Sequence, residues 1–262
     1  MSTDWSSQDA DWPAKAIWEA VAPVLPGFTV EVLPEIASTN SELMRRARTG
    51  SLEPVLLVAQ RQTAGRGRLG RSWAGDAGRS LTFSLGLPLA PGDWSGLSLA
   101  VGVSLAESLH PRIQLKWPND LWLADRKLAG VLIETASFGE GAGPGRYAVI
   151  GIGINIGARE AAGLSIAPAW LRELLPEVQP GEALMRLALP LVQAVQAFEA
   201  FGFAPFQARF NARDALLDRP VVLSDGTTGT AHGAGEDGAL RVHTARGMKT
   251  VSSAEVSVRP QA

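Results

Sequence analysis

Apolar residues recur in this chain with two different periods, and that mixture limits the fold more than any single motif does. Leu184, Leu187, Leu191, Val195 and Phe198 fall every three to four residues, the stripe of a helix that buries one face. Runs at 28–33, 54–60, 80–87, 128–135 and 147–156 are instead short and apolar or alternating, as strands are. Helices are expected at 14–24, stopped by Pro26-Gly27, and at 39–48, 97–108, 168–175, 182–201 and 205–217. Thr39 and Glu42 have the spacing of a capping box for the second of these. Short strands at 113–117 and 121–123 flank Pro118-Asn119-Asp120, and the run GEGAGPG at 139–145 reads as a hairpin loop.

Beyond Arg219-Pro220 the texture changes. Runs at 221–224, 228–234, 239–243 and 248–252 are separated by Asp-Gly, Glu-Asp-Gly and Arg-Gly turns, which is the spacing of a small all-β barrel. The expected class is α+β, a mixed sheet with flanking helices over 28–217. A lead and short helix at 1–27 precede it, and the barrel over 218–262 follows.

Composition removes several functional classes. The chain has 262 residues, 46% hydrophobic and 19% charged, a globular profile long enough to bury a core. It has no cysteine, which excludes disulfides, thiolate metal sites and a cysteine nucleophile. Its formal charge of −2 provides no global field for nucleic acid, so an anionic ligand must be held by a local cluster. His110, His232 and His243 lack metal-ligand spacing. The acidic N-terminus does not read as a signal peptide, and no window reaches the ~18–20 uninterrupted apolar residues of a membrane span. A soluble, cytoplasmic protein is expected.

Four segments carry polar residues in places that packing does not require. In GRGRLGRSW at 65–73, glycines bring backbone N–H groups close to a ligand and arginines supply planar cationic donors. A solvated flexible loop explains that composition equally well. In KWPND at 116–120, turn propensity accounts for Pro118, Asn119 and Asp120 but leaves Lys116 and Trp117 at the lip of the turn. In RKLAG at 126–130, Lys127 followed by small residues can project an ammonium into a pocket walled by backbone, although a solvated strand end is the plainer account. In GIGIN at 151–155, alternating glycine marks close approach of a ligand or another chain segment, with a β-bulge as the alternative.

Taken together and in this order, Ser38-Thr39-Asn40, GRGRLGRSW, KWPND, RKLAGVLIE and GIGIN resemble the catalytic domain of biotin–protein ligases. The motifs cover about 34–155, and the terminal β segment ending at 254–259 extends the likeness. The resemblance implies a class II aminoacyl-tRNA synthetase-like catalytic domain followed by an SH3-like barrel. It implies activation of biotin by ATP with Mg²⁺, then transfer to a lysine of a biotin carboxyl carrier protein. By the same resemblance, Ser38, Thr39, Asn40, Gln62, Gly65, Arg66, Gly67, Arg68, Lys127, Gly130 and Gly151 are the expected biotin contacts. Arg68, Trp73, Lys116, Asn119, Asp120 and Asn155 belong to the adenylate side. Arg66, Arg68, Lys127, Lys116 and Asp120 are the expected catalytic groups, and no metal ligands are assigned.

The chain departs from bifunctional relatives in having only about 35 residues before Ser38, too few for a winged-helix domain, so repressor activity is not expected. Leu69 and Ser72 stand where relatives are often basic, which bears on how tightly the loop retains a ligand. A homodimer paired through sheet edges is compatible with the resemblance. A lipoate ligase shares the same logic, and an Arg-Gly nucleic-acid binder is a rival from another class that Trp73 alone serves poorly. A catalytically silent relative is disfavoured because every charged motif residue is present.

Overall fold

The computed structural model describes residues 12–137, 145–158, 166–252 and 258–260. The expected lead before residue 12, most of the 139–145 loop and most of the 254–259 segment lie outside them. Helix α1 (Ala14–Val21) leads into strand β1 (Thr29–Ile36), helix α2 (Thr39–Arg48), strand β2 (Val55–Arg66) and strand β3 (Ser72–Gly75). Strand β4 (Ser80–Leu89), helix α3 (Leu97–Leu109) and strands β5 (Gln114–Lys116), β6 (Asp120–Leu123), β7 (Arg126–Ser137) and β8 (Arg146–Asn155) follow. Helices α4 (Pro180–Phe201) and α5 (Ala204–Asn211) precede strands β9 (Pro220–Leu223), β10 (Thr228–Ala234), β11 (Leu240–Thr244), β12 (Gly247–Val251) and β13 (Val258–Pro260).

The main sheet runs β1-β2-β4-β8-β7-β6-β5, with β3 folded back on β2; β1 and β2 are parallel and the other pairs antiparallel. It is the expected mixed sheet. Successive side chains of a strand point to opposite faces, and here the two faces differ. On β8, Ala148, Ile150, Ile152 and Ile154 enter the core shared with α1, α3 and α4, whereas Tyr147 and Val149 pack with Leu43, Met44 and Ala47 of α2. Gly151 and Gly153 share that second face, opposite Ser84 and Thr82 of β4 and Leu132 and Gly130 of β7.

Helix α4 is long and apolar enough to cross a membrane by length and composition. Its stripe of Leu184, Leu187, Leu191, Val195 and Phe198 is buried in the same core, which accounts for the hydrophobicity.

Several local expectations change. The cap of α2 is Ser38, whose hydroxyl accepts from Ser41 N at 3.3 Å, because Thr39 turns inward; Glu42 instead binds Arg45 and Arg46. Those two guanidinium groups hold the Glu42 carboxyl near 2, well below the usual range. Residues 168–175 form only a 3₁₀ turn at Leu171–Glu173, and α5 stops at Asn211.

Trp117 does not stand at a lip. It is fully buried, and its Nε1 donates to the Gly238 carbonyl at 3.1 Å. That bond ties the KWPND turn to a second, antiparallel sheet of order β12-β11-β10-β9-β13. Asn211 adds two bonds to Ala234, and Leu115 and Asp214 form a parallel bridge. Val221, Ala231, Leu240 and Val242 continue the main core into this sheet.

Candidate functional site

The second face of the main sheet carries a cleft of about 840 Å³, roofed by the β2–β3 hairpin and bounded by the start of α2. Segment 65–73 is therefore not a free loop. Gly65 pairs with Trp73 and Arg66 with Ser72, and a 3₁₀ turn at Arg68–Gly70 joins the strands. A Cβ on Gly65 would stand 2.4 Å from the Trp73 carbonyl oxygen, so close strand approach requires glycine there. Leu69 holds a left-handed conformation at φ 56, which is strained for a leucine, and its side chain is exposed.

One end of the cleft is a neutral hydrogen-bonded network. Gln62 Oε1 accepts from Thr39 N at 2.7 Å and from Thr39 Oγ1 at 3.1 Å. Ser84, fully buried, donates to Asn40 Oδ1 at 2.7 Å and lies 2.7 Å from the Thr39 hydroxyl. Asn40 Nδ2 donates to the Leu132 carbonyl at 3.2 Å and to Glu134 at 3.0 Å. Gly151 makes this network possible, since a Cβ there would lie 2.0 Å from Asn40 Oδ1.

The other end is cationic. Lys127 Nζ stands 2.6 Å from Asp120 Oδ1 and 5.7 Å from the Trp73 ring, with Gly130 leaving room for the ammonium. Arg68 reaches Asn119 Oδ1 at 3.4 Å, and burial pushes its pKa down, opposed by the charge of Asp120. A half-buried guanidinium gains by meeting an anion that replaces lost water. Arg71, Arg79 and Arg126 line the same mouth together with Asp76 and Asp125. Among the described residues, no group of three or more His, Asp or Glu could hold a metal by itself.

The glycines of GIGIN cradle side chains from elsewhere: Gly151 faces Asn40, and a Cβ on Gly153 would stand 2.3 Å from the Trp73 ring. Ile152 and Ile154, which alternate with them, belong to the core. Asn155 is buried and donates to the carbonyls of Ala169 at 3.0 Å and Lys127 at 3.3 Å, fixing the 166–168 rim of the cleft. Asn119 donates to the Val131 carbonyl at 2.8 Å.

The cleft thus gathers Ser38, Thr39, Asn40, Gln62, Arg66 and Gly67, and with them Arg68, Trp73, Asn119 and Asp120. Lys127, Gly130, Gly151 and Asn155 complete the expected residues on its wall. Two expected residues are not on it. Gly65 lies within the hairpin, where it serves strand pairing. Lys116 lies one strand beyond the wall on the edge strand β5, with Nζ 4.9 Å over the ring of Trp122, which does line the cleft.

Residues 32–155 match the profile of the Biotin/lipoate A/B protein ligase family. Over 248 residues the chain is 36% identical to the Bifunctional ligase/repressor BirA of Escherichia coli K12, covering 90% of this chain and 75% of that one. The chain belongs to the biotin–protein ligase family. It is also 34% identical over 241 residues to a Biotin–[acetyl-CoA-carboxylase] ligase of Paracoccus denitrificans, covering 86% of this chain and 98% of that one. A solved structure of the biotin protein ligase from Aquifex aeolicus in complex with biotin and ATP is similar with a TM-score of 0.76 and 30% identity, over 88% of this chain and 99% of that one.

Two residues that hold the cleft's lining side chains in this biotin–protein ligase family member, Ser84 against Thr39 and Asn40 and Glu134 against Asn40 and Arg66, were not singled out from sequence. Ser84 belongs to the alternation Thr82, Ser84, Gly86 within an apolar strand, and Glu134 to Gly130, Leu132, Glu134. In both strands the period of two places the polar residue on the glycine-lined face, a signal that was legible once that face was recognised.

Proposed function

We propose that this chain activates biotin with ATP to give biotinyl-5′-AMP and pyrophosphate, and then transfers the biotinyl group to a lysine of a biotin carboxyl carrier domain. The observation that carries this reading is the polarity of one continuous cleft, neutral and hydrogen-bonding at one end and cationic at the other. A molecule with an uncharged polar head and a carboxylate tail fits that order. The ureido ring needs donors and acceptors without charge, which Ser38, Thr39, Asn40 and Gln62 supply.

In the first step a carboxylate oxygen attacks the α-phosphorus, the bond to the β-phosphate oxygen breaks, and pyrophosphate leaves. Two anions must meet. Lys127 and Arg68 offset their repulsion and stabilise charge developing on the α-phosphoryl oxygens. Arg66 and Gly67 close the cover above them. Trp73 offers a ring for the adenine, with Asn119, Asp120 and Asn155 shaping that side and Lys116 supporting it through Trp122. Mg²⁺ carried in with the triphosphate would neutralise charge on the leaving pyrophosphate. Asp76 and Asp120 on the wall fit a metal carried in by phosphates rather than a resident one.

In the second step the carrier lysine attacks the acyl carbon, the acyl–oxygen bond breaks, AMP departs, and the amine proton passes to solvent or Asp120. The mixed anhydride is already activated, so positioning and exclusion of water suffice.

The proposal extends to organisation. Residues 28–217 form the catalytic domain, and 218–262 an SH3-like barrel supported by the five short antiparallel strands. The relative from Paracoccus denitrificans carries a ligase name alone, and a ligase-only role is proposed, in the cytoplasm where ATP and carboxylases meet. Strand β1 is an edge of the main sheet and the proposed route to a homodimer. Incubation with MgATP, biotin and a carrier domain should add one biotin to its specific lysine, read by mass spectrometry. Loading of lipoate instead, or of neither, would sink the reading.

A further inference from the structure

Glu134 is the one acid of strand β7, on the same face as Gly130 and Leu132 of the cleft wall, and the ligase chemistry leaves it without a task. Its carboxylate holds two partners from different elements. Arg66 Nη2 lies 2.7 and 2.5 Å from its two oxygens, and Asn40 Nδ2 donates to Oε2 at 3.0 Å. Arg66 is the last residue of β2, where the hairpin leaves the sheet to cover the cleft. Asn40 lies in the first turn of α2 and leads through Ser84 to Thr39 and Gln62. One carboxylate therefore joins the cover to the neutral end.

Other contacts of the hairpin differ in kind, the approach of Lys127 to the Trp73 ring among them. Ala64 N donates to the Ala37 carbonyl at 2.9 Å at the hairpin's base, Trp73 rests on Gly153, and Arg68 reaches Asn119 across a long 3.4 Å. The Arg66–Glu134 pair bridges β2 and β7 with short, charge-assisted contacts, and only 26% of the Glu134 side chain is exposed. An acid in that position orders its two donors at once: losing its charge frees the guanidinium and leaves the Asn40 amide with a weaker acceptor.

We infer that Glu134 is a positioning residue, which holds the β2–β3 hairpin closed through Arg66 and, through Asn40, couples that closure to the groups at the neutral end. The kinetic part of this inference rests on the ligase reading; the structural part does not.

The test uses the full chain with Glu134→Gln, Arg66→Met and the double variant. In the ligand-free protein, amide hydrogen exchange over residues 62–75 should quicken about fivefold in each single variant, the scale of one partly exposed charge-assisted pair. The central strands β4 and β8 should exchange as before. The double variant should be no faster than the quicker single, because both substitutions break one contact. Unchanged exchange over 62–75, or effects that multiply in the double variant, would overturn the inference, and this holds whether or not the chain proves to be a ligase. Should Glu134→Gln fail to fold, Arg66→Met with Glu134→Asp supplies the same comparison. With biotin and MgATP, Glu134→Gln should raise KM for biotin and hasten escape of biotinyl-AMP about fivefold, with KM for ATP little changed. A lower KM for biotin would mean that Glu134 restrains Arg66 away from the ligand, and would overturn it. Failure of the wild type to biotinylate a carrier would instead strike the ligase reading alone.

Discussion

The two faces of strand β8 are built from adjacent residues of one short run, yet they do opposite work. Ile150, Ile152 and Ile154 face a layer of helices, where neighbouring side chains fill the space. Gly151 and Gly153 face the cleft and contribute no side chain, so residues distant in sequence occupy the space they leave. The same device recurs on β4, where Gly86 receives the ring of Tyr147. A closed face is stabilised by what its own residues bury, whereas an open face is defined by what its residues omit. Changes on the first should therefore cost stability, and changes on the second should cost ligand handling.

The largest expected effect lies on the open face. Lys127→Ala should slow pyrophosphate release from biotin and ATP by about 10²–10³-fold, the scale of losing one charge-stabilising donor. Wild-type rates in that variant would remove Lys127 from the reaction. On the closed face, Ile150→Ala should cost about 2–5 kcal/mol in chemical denaturation and leave biotin affinity nearly unchanged. A large affinity loss with little destabilisation would break the contrast between the faces.

Gly151→Ala sharpens it, since it alters the very next residue. The new methyl must displace Asn40, at a cost of about 1–3 kcal/mol, and biotin KM should rise steeply. Arg68→Ala should let biotinyl-AMP escape about tenfold faster while it still forms, because a partly buried contact from the cover is worth about 1.4 kcal/mol. Trapping of free adenylate by hydroxylamine measures this.

The smallest effect concerns Tyr147, which fills the open face away from the cleft. Its hydroxyl donates to the Glu53 carbonyl at 3.1 Å, and burial pushes its pKa up to about 12 from 10.0. The unfolded chain ionises first, so stability is unaffected below pH 10 and falls as pH rises from 10 toward 12. Tyr147→Phe should cost about 1 kcal/mol at neutral pH and reduce that alkaline slope. An unchanged slope between pH 10 and 12 would assign it to other groups.

Much of the fold was legible because short-range periodicity decides which residues can share a face. The period of two in 147–156 and the period of 3.6 in 182–201 correspond to β8 and α4. Expectations failed where a distant partner overruled local preference. Thr39 has the right type and spacing for a cap, but Gln62, 23 residues on, takes its hydroxyl. Gly-Arg alternation suggests a flexible loop, but pairing with β3 makes it a hairpin. Trp117 follows a lysine in a turn motif, yet the second sheet buries it.

The order of the motifs and the residue types within them determined that this chain carries a cationic, glycine-lined site of the biotin–protein ligase kind. Local chemistry suffices for that, because charge, hydrogen-bonding capacity and strand period are properties of neighbouring residues. Tertiary structure alone decided which of those residues meet. It put Lys116 over Trp122, gave the glycines of β8 to Asn40 and Trp73, and brought Glu134 to Arg66 across 68 residues. Such contacts depend on register between strands and on the path of the chain between them, which no single stretch of sequence contains.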